Sequence, residues 1–305
     1  MSGSNLRYFF AGILSVSIWG FFSIPLRNLK AFPPEEILYY RIFTSVVFIW
    51  MSILLFRRKE LKKDLTFFKG ISKKEQQTIL IQILASTVFL TLNWYTFIYA
   101  VNNVSLQSAA FAYMVCPLLT AFGGFVLLKE DLSRLKLISL GIALLSIILL
   151  GSGSFVEVTW SVVIALLYAL YLILQRKMKH LDKLNVLAVQ IGLAVLIMLP
   201  FYLIRHGAMP STMWFWGNIV VIAVVFTIIP LFLSLYALIG IPSSTLGIII
   251  YINPIIGFAV AIFYFDEHID SYKLAAYGLL LASVLLFNWA IIKDIITFKG
   301  SLKNN

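Results

Sequence analysis

The sequence predicts an all-α integral membrane protein with ten transmembrane helices, arranged as two inverted five-helix repeats with both termini in the cytoplasm. Three observations support this prediction. The 305 residues are 61% hydrophobic and only 12% charged, so a water-soluble fold would lack the polar groups to cover its surface. Apolar segments of membrane-spanning length recur along the chain. The second half also repeats residues of the first half at a fixed distance.

Ten apolar segments are long enough to cross a hydrocarbon core roughly 30 Å thick, at about 1.5 Å of helix per residue. They cover residues 7–25, 36–56, 77–101, 105–128, 133–151, 158–176, 184–204, 215–239, 243–265 and 271–292. The first segment lacks a cleavage site of small residues. We therefore interpret it as a retained helix rather than a signal peptide.

The basic residues indicate the orientation of these segments. The net charge is +11. Nearly all Lys and Arg residues fall at the termini and in the connections 57–76, 129–136 and 177–183. The opposite connections carry only Arg27, Lys30, Arg205 and Lys273. By the positive-inside rule, both termini are then cytoplasmic. An alternative interpretation of 57–76 is a patch that binds anionic lipid or a regulator.

Several residues within 99–149 recur 137 positions later without a gap. Among the matched pairs are Tyr99 with Tyr236, Ala100 with Ala237, Pro117 with Pro254, Glu130 with Glu267, Lys136 with Lys273, Leu137 with Leu274, and Gly141 with Gly278. Because five is an odd number, two five-helix units in series face opposite ways across the membrane. We predict a first repeat over 1–152, an inverted second repeat over 153–295, and a cytoplasmic tail over 296–305.

Three prolines fall inside predicted spans, namely Pro117, Pro230 and Pro254. Proline removes a backbone donor and kinks a helix. Because Pro117 and Pro254 occupy matching positions in the two repeats, we predict that they kink helices beside a cavity. Simple bending for packing is the alternative. Pro230 is predicted to act with them in gating.

Arg41, about five residues into the second predicted helix, is the strongest indication of a site. An intramembrane arginine costs roughly 2.5–3.5 kcal/mol at a helix centre on insertion scales, so it normally faces a cavity or a partner. The alternatives are snorkelling to the outer headgroups and a structural ion pair with Glu35 or Glu36. If Arg41 contacts a solute, its planar fork of donors favours a carboxylate or another oxyanion.

Further polar and aromatic side chains are expected to line the same cavity. They are Asn93, Trp94, Tyr99, Tyr113, Gln190, Tyr251 and Asn253. Buried amides also form helix–helix hydrogen bonds, so a structural role for Asn93 and Gln190 stays open. Asn253 alternatively satisfies the carbonyl that the kink at Pro254 frees. At an offset of 149 residues, Gln190 corresponds to Arg41, so the repeats differ in charge at this position.

A proton-coupled carrier needs an ionisable group inside the membrane. None of the 13 Asp and Glu residues lies deep within a predicted span. Glu36, Glu267 and His268 are the reserve candidates for coupling. We therefore favour facilitated or gradient-driven exchange over a dedicated proton relay.

Two sets of short motifs follow each other along the chain. The first comprises Trp19-Gly20, the run Glu36-Ile-Leu-Tyr-Tyr-Arg41, Asn93-Trp94, Ala100-Val-Asn-Asn103 and Tyr113-x-x-x-Pro117. The second comprises Thr227-x-x-Pro230-Leu231, Ser244-Thr-Leu-Gly247, Tyr251-x-x-Pro254 and Asp266-Glu267. Together they resemble the RarD-type branch of the EamA-like transporters, in the drug/metabolite transporter (DMT) superfamily. Relatives usually have Gly-Glu where this chain has Asp266-Glu267, so the turn need not keep the geometry that glycine permits.

The resemblance implies a ten-helix inner-membrane carrier with a central cavity and alternating access, whose relatives move amino acids, other metabolites or drug-like solutes, often outward. We expect such an exporter in the plasma or inner membrane. Its expected partners are a small-molecule substrate and the lipid bilayer, and we expect no nucleic acid, cofactor or metal. The expected oligomeric state is a monomer or loose homodimer. A facilitative channel or membrane sensory module is the alternative. A membrane-embedded enzyme is less favoured, because the three histidines lie far apart in predicted loops and the sequence has no H-E-x-x-H motif. The sequence also lacks a Walker motif, so ATP-driven transport is not supported.

Overall fold

The computed structural model describes residues 3–128, 133–178, 180–205, 209–240, 249–289 and 293. Within these ranges the regular secondary structure is entirely helical. The helices are α1 Gly3–Gly20, α2 Ser23–Asn28, α3 Pro34–Phe56, α4 Arg58–Gly70, α5 Lys73–Asn103, α6 Leu106–Leu128, α7 Arg134–Gly153, α8 Phe155–Lys177, α9 Lys183–Arg205, α10 Met213–Ala223, α11 Ile229–Gly240, α12 Ile252–Phe263 and α13 Ser271–Phe287. A π-helical turn, Val224–Ile228, joins α10 to α11.

Eight spans in the described part of the chain are long and apolar enough to cross a membrane. They are Arg7–Asn28, Pro34–Phe56, Lys73–Asn103, Leu106–Val126, Arg134–Gly153, Phe155–Gln175, Lys183–Ile204 and Met213–Ser234. The first combines α1 with α2, and the eighth combines α10, the π-helical turn and the start of α11. The apolar helices α12 and α13 are shorter, at 12 and 17 residues. The predicted ninth and tenth spans each run partly over residues outside the described ranges.

The connection 57–76 contains a helix, α4, rather than only a loop. Its cations Lys59, Lys62 and Lys69 are exposed, whereas Leu61 packs against the main apolar core. The Asp64 carboxylate lies on the side that faces the start of α9, where it accepts from Asn185 Nδ2 at 2.7 Å. The basic connection is therefore an amphipathic helix docked on the bundle.

Serine side chains define several helix starts. Ser72 and Glu75 form a capping box at the start of α5, and Ser133 and Ser154 cap α7 and α8 through their side-chain oxygens. Such caps satisfy backbone N–H groups that have no partner within the helix. Because Ser154 also ends α7, it joins two antiparallel helices through a single residue.

The most extensive helix pairs are α6 with α8, α7 with α13, and α1 with α11. Small hydroxyl side chains link α7 to α13 reciprocally. Ser146 Oγ donates to the Ala276 carbonyl at 2.5 Å, and Ser283 Oγ donates to the Ser139 carbonyl at 2.6 Å. The two bonds are related by the 137-residue offset, so matching positions in the two halves of the chain make this contact. Hydroxyl-to-carbonyl bonds of this kind join helices closely in lipid.

Many large apolar side chains point away from the bundle, which fits a surrounding hydrocarbon solvent. Examples that are more than half exposed occur on α3, α7 and α9, including Val47, Leu144, Ile148 and Leu196. The interior instead holds a continuous apolar cluster together with buried polar side chains. Two of these buried residues, Arg41 and Lys273, carry a full charge, and Lys273 forms an ion pair with Glu157.

Candidate functional site

Arg41 lies in α3 and is only 3% exposed. Its Nη2 donates to Thr227 Oγ1 at 3.2 Å, whereas Nε and Nη1 are buried without a hydrogen-bond partner among the described residues. A buried charged donor without a partner is costly, which makes such a group a strong indication of a missing ligand or solvent. Two nitrogens of the guanidinium are thus available to an acceptor that enters the bundle.

Aromatic rings surround the guanidinium. Its Cζ lies 4.4 Å from the ring centroid of Trp94 and 4.9 Å from that of Phe22, both within cation–π range. Phe22 also stacks between Phe97 and Phe226, with centroid distances of 5.7 and 5.6 Å. The charge is therefore held by ring faces from α5 and from the break between α1 and α2.

Thr227, the hydrogen-bond partner of Arg41, lies in the π-helical turn. Its hydroxyl donates to the Ile222 carbonyl at 2.9 Å, which leaves its lone pairs to accept from Arg41. Single π-helical turns inside α-helices frequently occur at functional sites because they expose backbone carbonyls and redirect side chains. Here the turn presents the Thr227 hydroxyl to α3.

Pro230 follows this π-helical turn, and two side chains of α1 support the irregular backbone. Proline has no N–H to donate to the carbonyl of Phe226, four residues earlier. Trp19 Nε1 donates to that carbonyl at 2.9 Å, and Ser15 Oγ donates to the Pro230 carbonyl at 2.7 Å. Because Ser15 and Trp19 are four residues apart, they lie on one face of α1.

Asn93 is 1% exposed and joins α5 to α8 through its side chain. Its Nδ2 donates to the Ile164 carbonyl at 2.9 Å, whereas Oδ1 has no partner within the described structure. Its neighbour Trp94 faces Arg41 directly. Tyr99 instead stacks on Trp160 with centroids 4.6 Å apart, which places it at the α5–α8 interface.

Tyr113 connects the Arg41 surroundings to α8. Its ring contacts Phe97 edge-on at 5.4 Å and Tyr168 at 5.9 Å. Tyr168 in turn stacks on Tyr171 at 5.7 Å. The rings of Phe22, Phe97, Tyr113, Tyr168 and Tyr171 therefore form a continuous aromatic series that begins beside Arg41.

Gln190 is fully buried and both ends of its amide are occupied. Its Oε1 accepts from Gln175 Nε2 at 3.1 Å, and its Nε2 donates to Ser86 Oγ at 2.6 Å. These bonds join α8, α9 and α5. Gln190 thus has the contacts of an interhelical bond rather than of an open binding position.

The remaining predicted residues lie in or near α6 and α12. Pro117 is within α6, whereas Pro254 is the third residue of α12, in the first turn, where proline is best tolerated. Tyr251 immediately precedes α12 and is 9% exposed. The backbone N–H of Asn253 donates to the Ile250 carbonyl at 3.1 Å.

Glu36 lies in the first turn of α3, a favourable place for a carboxylate beside the helix dipole. Glu267 has a different role, because it forms an ion pair with Arg27 of α2. Its two oxygens also accept from the backbone N–H groups of Leu106 and Gln107, at 3.0 and 3.2 Å. The Glu267 carboxylate therefore caps α6 and connects the two halves of the chain.

Asp266, next to Glu267, adopts a left-handed backbone conformation with φ of 51°. This region favours glycine, and aspartate is among the few other residues that tolerate it. The turn thus keeps a glycine-like geometry even though glycine is missing from this position.

The family model described as the EamA-like transporter family matches residues 6–152 and 156–289. The chain belongs to the EamA-like transporter family. Uncharacterized transporter YojE of Bacillus subtilis is 27% identical to it over 286 residues, covering 92% of this chain and 93% of that protein. Protein RarD of Streptomyces exfoliatus is 25% identical, covering 92% of this chain and 88% of that protein. Protein RarD of Escherichia coli is 23% identical, covering 88% and 90%.

A solved crystal structure has a TM-score of 0.59 and 13% sequence identity to this EamA-like chain. The match covers 92% of this chain and 95% of the chain in that structure. That likeness concerns the fold. The predicted resemblance to RarD-type transporters is confirmed, and this EamA-like protein is a multi-pass protein of the cell membrane with transporter relatives.

Several residues of this EamA-like site were missed by sequence reasoning. Phe22, Phe226 and the hydroxyl of Thr227 contact Arg41 or its aromatic surroundings. Phenylalanine is abundant in the chain, with 25 copies, so no single one was distinguishable. The sequence does contain the motif Thr227-x-x-Pro230, and its threonine is the signal that could have pointed to the partner of Arg41.

Proposed function

We propose that the chain is a secondary carrier that exports small organic solutes by alternating access, with Arg41 as the centre of the solute site. The observation that carries this proposal is the buried guanidinium with two unpartnered nitrogens. A structural arginine is normally satisfied by a carboxylate or by carbonyls. An arginine that contacts one hydroxyl and several rings is instead prepared for an incoming acceptor.

The proposed architecture is ten helices in two inverted repeats, over 1–152 and 153–295, with both termini and the 296–305 tail in the cytoplasm. Two features support it. The family model matches one stretch in each half. The reciprocal serine bonds between α7 and α13 are those expected of equivalent positions meeting about a twofold axis in the membrane plane.

The proposed motion is a rocking of the repeats, with the backbone around Pro230 as one flexible point. The π-helical turn and the missing proline donor weaken the regular hydrogen-bond ladder there. The clamp formed by Ser15 and Trp19 of α1 would hold this segment in one state. The helices that carry Pro117 and Pro254 are proposed as further moving parts.

The proposed cargo includes amino acids, other metabolites or drug-like solutes, and the outward direction follows from the family resemblance. We propose that the chain has no enzymatic activity. We also propose that it works as a monomer or loose homodimer, with lipid and solute as its partners. In the described part of the chain, no group of three or more His, Cys, Asp or Glu residues is placed to hold a metal.

The test is a thermal-shift screen of purified protein against amino acids, organic acids, amines, nucleosides and antibiotics, followed by counterflow of each hit in proteoliposomes. Saturable counterflow is expected in the wild type and in the control Arg58→Ala, which removes an exposed cation of α4. Arg41→Ala is expected to abolish counterflow while melting is retained. Single-channel conductance, or unchanged counterflow in Arg41→Ala, would contradict the proposal.

A further inference from the structure

The side chains that contact Arg41 do not neutralise its positive charge. The groups in contact with its guanidinium are Thr227, Phe22 and Trp94, and all three are neutral. In the sequence, none of the 13 Asp and Glu residues lies deep within a predicted span. A buried cation in such surroundings gains most from a ligand that brings a full negative charge.

The aromatic faces near Arg41 are already directed at a cation. The rings of Trp94 and Phe22 lie at 4.4 and 4.9 Å from its Cζ. A ligand ammonium bound at these rings would therefore lie close to the guanidinium and be repelled by it. The cation–π capacity of the site serves the protein's own charge rather than that of a solute.

Two buried hydroxyls each lie one helical turn from a residue of this site. Ser45 is four residues after Arg41 on α3, and Thr91 is three residues before Trp94 on α5, so each shares a face with its neighbour. Ser45 Oγ and Thr91 Oγ1 are buried without a hydrogen-bond partner in the described ranges. Because α3 and α5 run in opposite directions, both positions are displaced from Arg41 toward the end of the bundle that carries α4.

From these features we infer that the Arg41 site prefers a net-anionic organic acid with a hydroxyl or keto group, such as a 2-hydroxy or 2-keto acid, over zwitterionic amino acids and amines. This inference rests on the proposed function and specifies the solute class at the same site. The carboxylate accepts from Nε and Nη1 of Arg41. The oxygen substituent of the solute exchanges hydrogen bonds with Ser45 and Thr91.

The experiment compares solutes that share a skeleton and differ in one group. The probes are lactate against alanine, and 3-phenyllactate and phenylpyruvate against phenylalanine and phenethylamine. Each is titrated into purified wild type, Arg41→Gln and the control Arg58→Gln, with melting temperature and tryptophan fluorescence as readouts. Each is also tested as a competitor in counterflow of a solute mixture extracted from cells.

In the wild type and in Arg58→Gln, the hydroxy or keto acid should bind at least about tenfold more tightly than the amino acid of the same skeleton. Arg41→Gln should remove this preference. The double variant Ser45→Ala with Thr91→Val should bind the hydroxy acid more weakly. Its affinity for the unsubstituted acid, 3-phenylpropionate, should be unchanged.

Equal or tighter binding of phenylalanine or phenethylamine would overturn the inference and leave the carrier proposal intact, provided that counterflow of the extract persists. A flat response to every probe at millimolar concentration contradicts an anion site. Absence of counterflow for every component of the extract would overturn the carrier proposal itself.

Discussion

Arg41 and Gln190, which lie 149 residues apart at the offset that relates the proposed repeats, are both buried, yet their hydrogen bonding differs completely. Gln190 uses both ends of its amide on neighbouring helices. Arg41 keeps two nitrogens without partners. The amide in the second half of the chain is therefore closed by protein contacts, whereas the guanidinium in the first half is left open. If the two halves are the proposed inverted repeats, they share a backbone architecture while the solute chemistry is proposed for only one of them.

The largest expected effect comes from making the two positions alike. Arg41→Gln removes the buried guanidinium donors of the proposed site, so solute binding should weaken by roughly 2–5 kcal/mol, enough to abolish saturable counterflow at low millimolar solute. Unfolding should be unchanged or shifted to higher temperature, because unpartnered charged donors no longer have to be buried. Counterflow and thermal melting of the same preparation measure the two effects. A strong loss of folding would instead assign Arg41 a structural role.

The converse change should affect stability and not solute recognition. Gln190→Leu keeps the volume of the side chain and leaves the Gln175 amide donor without its acceptor, so the free energy of unfolding should fall by about 1–3 kcal/mol. The affinity for a solute hit should stay within a factor of about two, below the tenfold change that corresponds to about 1.4 kcal/mol. Denaturation in detergent and ligand titration separate these quantities. A large loss of affinity with normal stability would show that both repeats contact the solute.

A smaller effect is expected at the hydroxyl that positions Arg41. Thr227→Val keeps the shape of the side chain and removes one hydrogen bond to a charged group, worth about 1.5–3 kcal/mol. Part of this loss is recovered because Arg41 gains freedom to follow the solute, so we expect a roughly tenfold rise in the half-saturating concentration, equivalent to about 1.4 kcal/mol. Thr227→Ser retains the hydroxyl and should restore the wild-type value. Equal defects in both variants would mean that the methyl group, and not the bond to Arg41, matters.

The sequence alone predicts Arg41 and Trp94 as site residues, because charged and aromatic residues inside an apolar span are unusual. The sequence does not reveal the interhelical contacts of Gln190, because its partners Gln175 and Ser86 become neighbours only when α5, α8 and α9 pack. Thr227 was equally hidden, since its contact with Arg41 depends on a π-helical turn that hydrophobic periodicity does not reveal. Helical spans follow from local composition, whereas side-chain partners depend on packing between distant segments.

The smallest effect is expected at the turn that brings Glu267 of the second repeat to α6 of the first. Asp266 has a φ of 51°, where an L-residue is less favourable than glycine by roughly 1–2 kcal/mol. Glycine also gains entropy in the unfolded chain, which offsets part of that difference. Asp266→Gly should therefore raise the free energy of unfolding by less than about 1 kcal/mol, and Asp266→Ala should lower it by a similar amount. Denaturant titration of both variants gives the sign.

Solute affinity at Arg41 should be the same in Asp266→Gly, Asp266→Ala and the wild type, because Glu267 contacts Arg27 and the start of α6 rather than the Arg41 surroundings. The alternative outcome is that solute affinity changes together with the free energy of unfolding across these variants. In that case the Arg27–Glu267 ion pair favours one conformation of the carrier, and formation of the pair competes with solute binding. The opposite signs of the two substitutions distinguish these cases, since a local packing defect would lower stability in both.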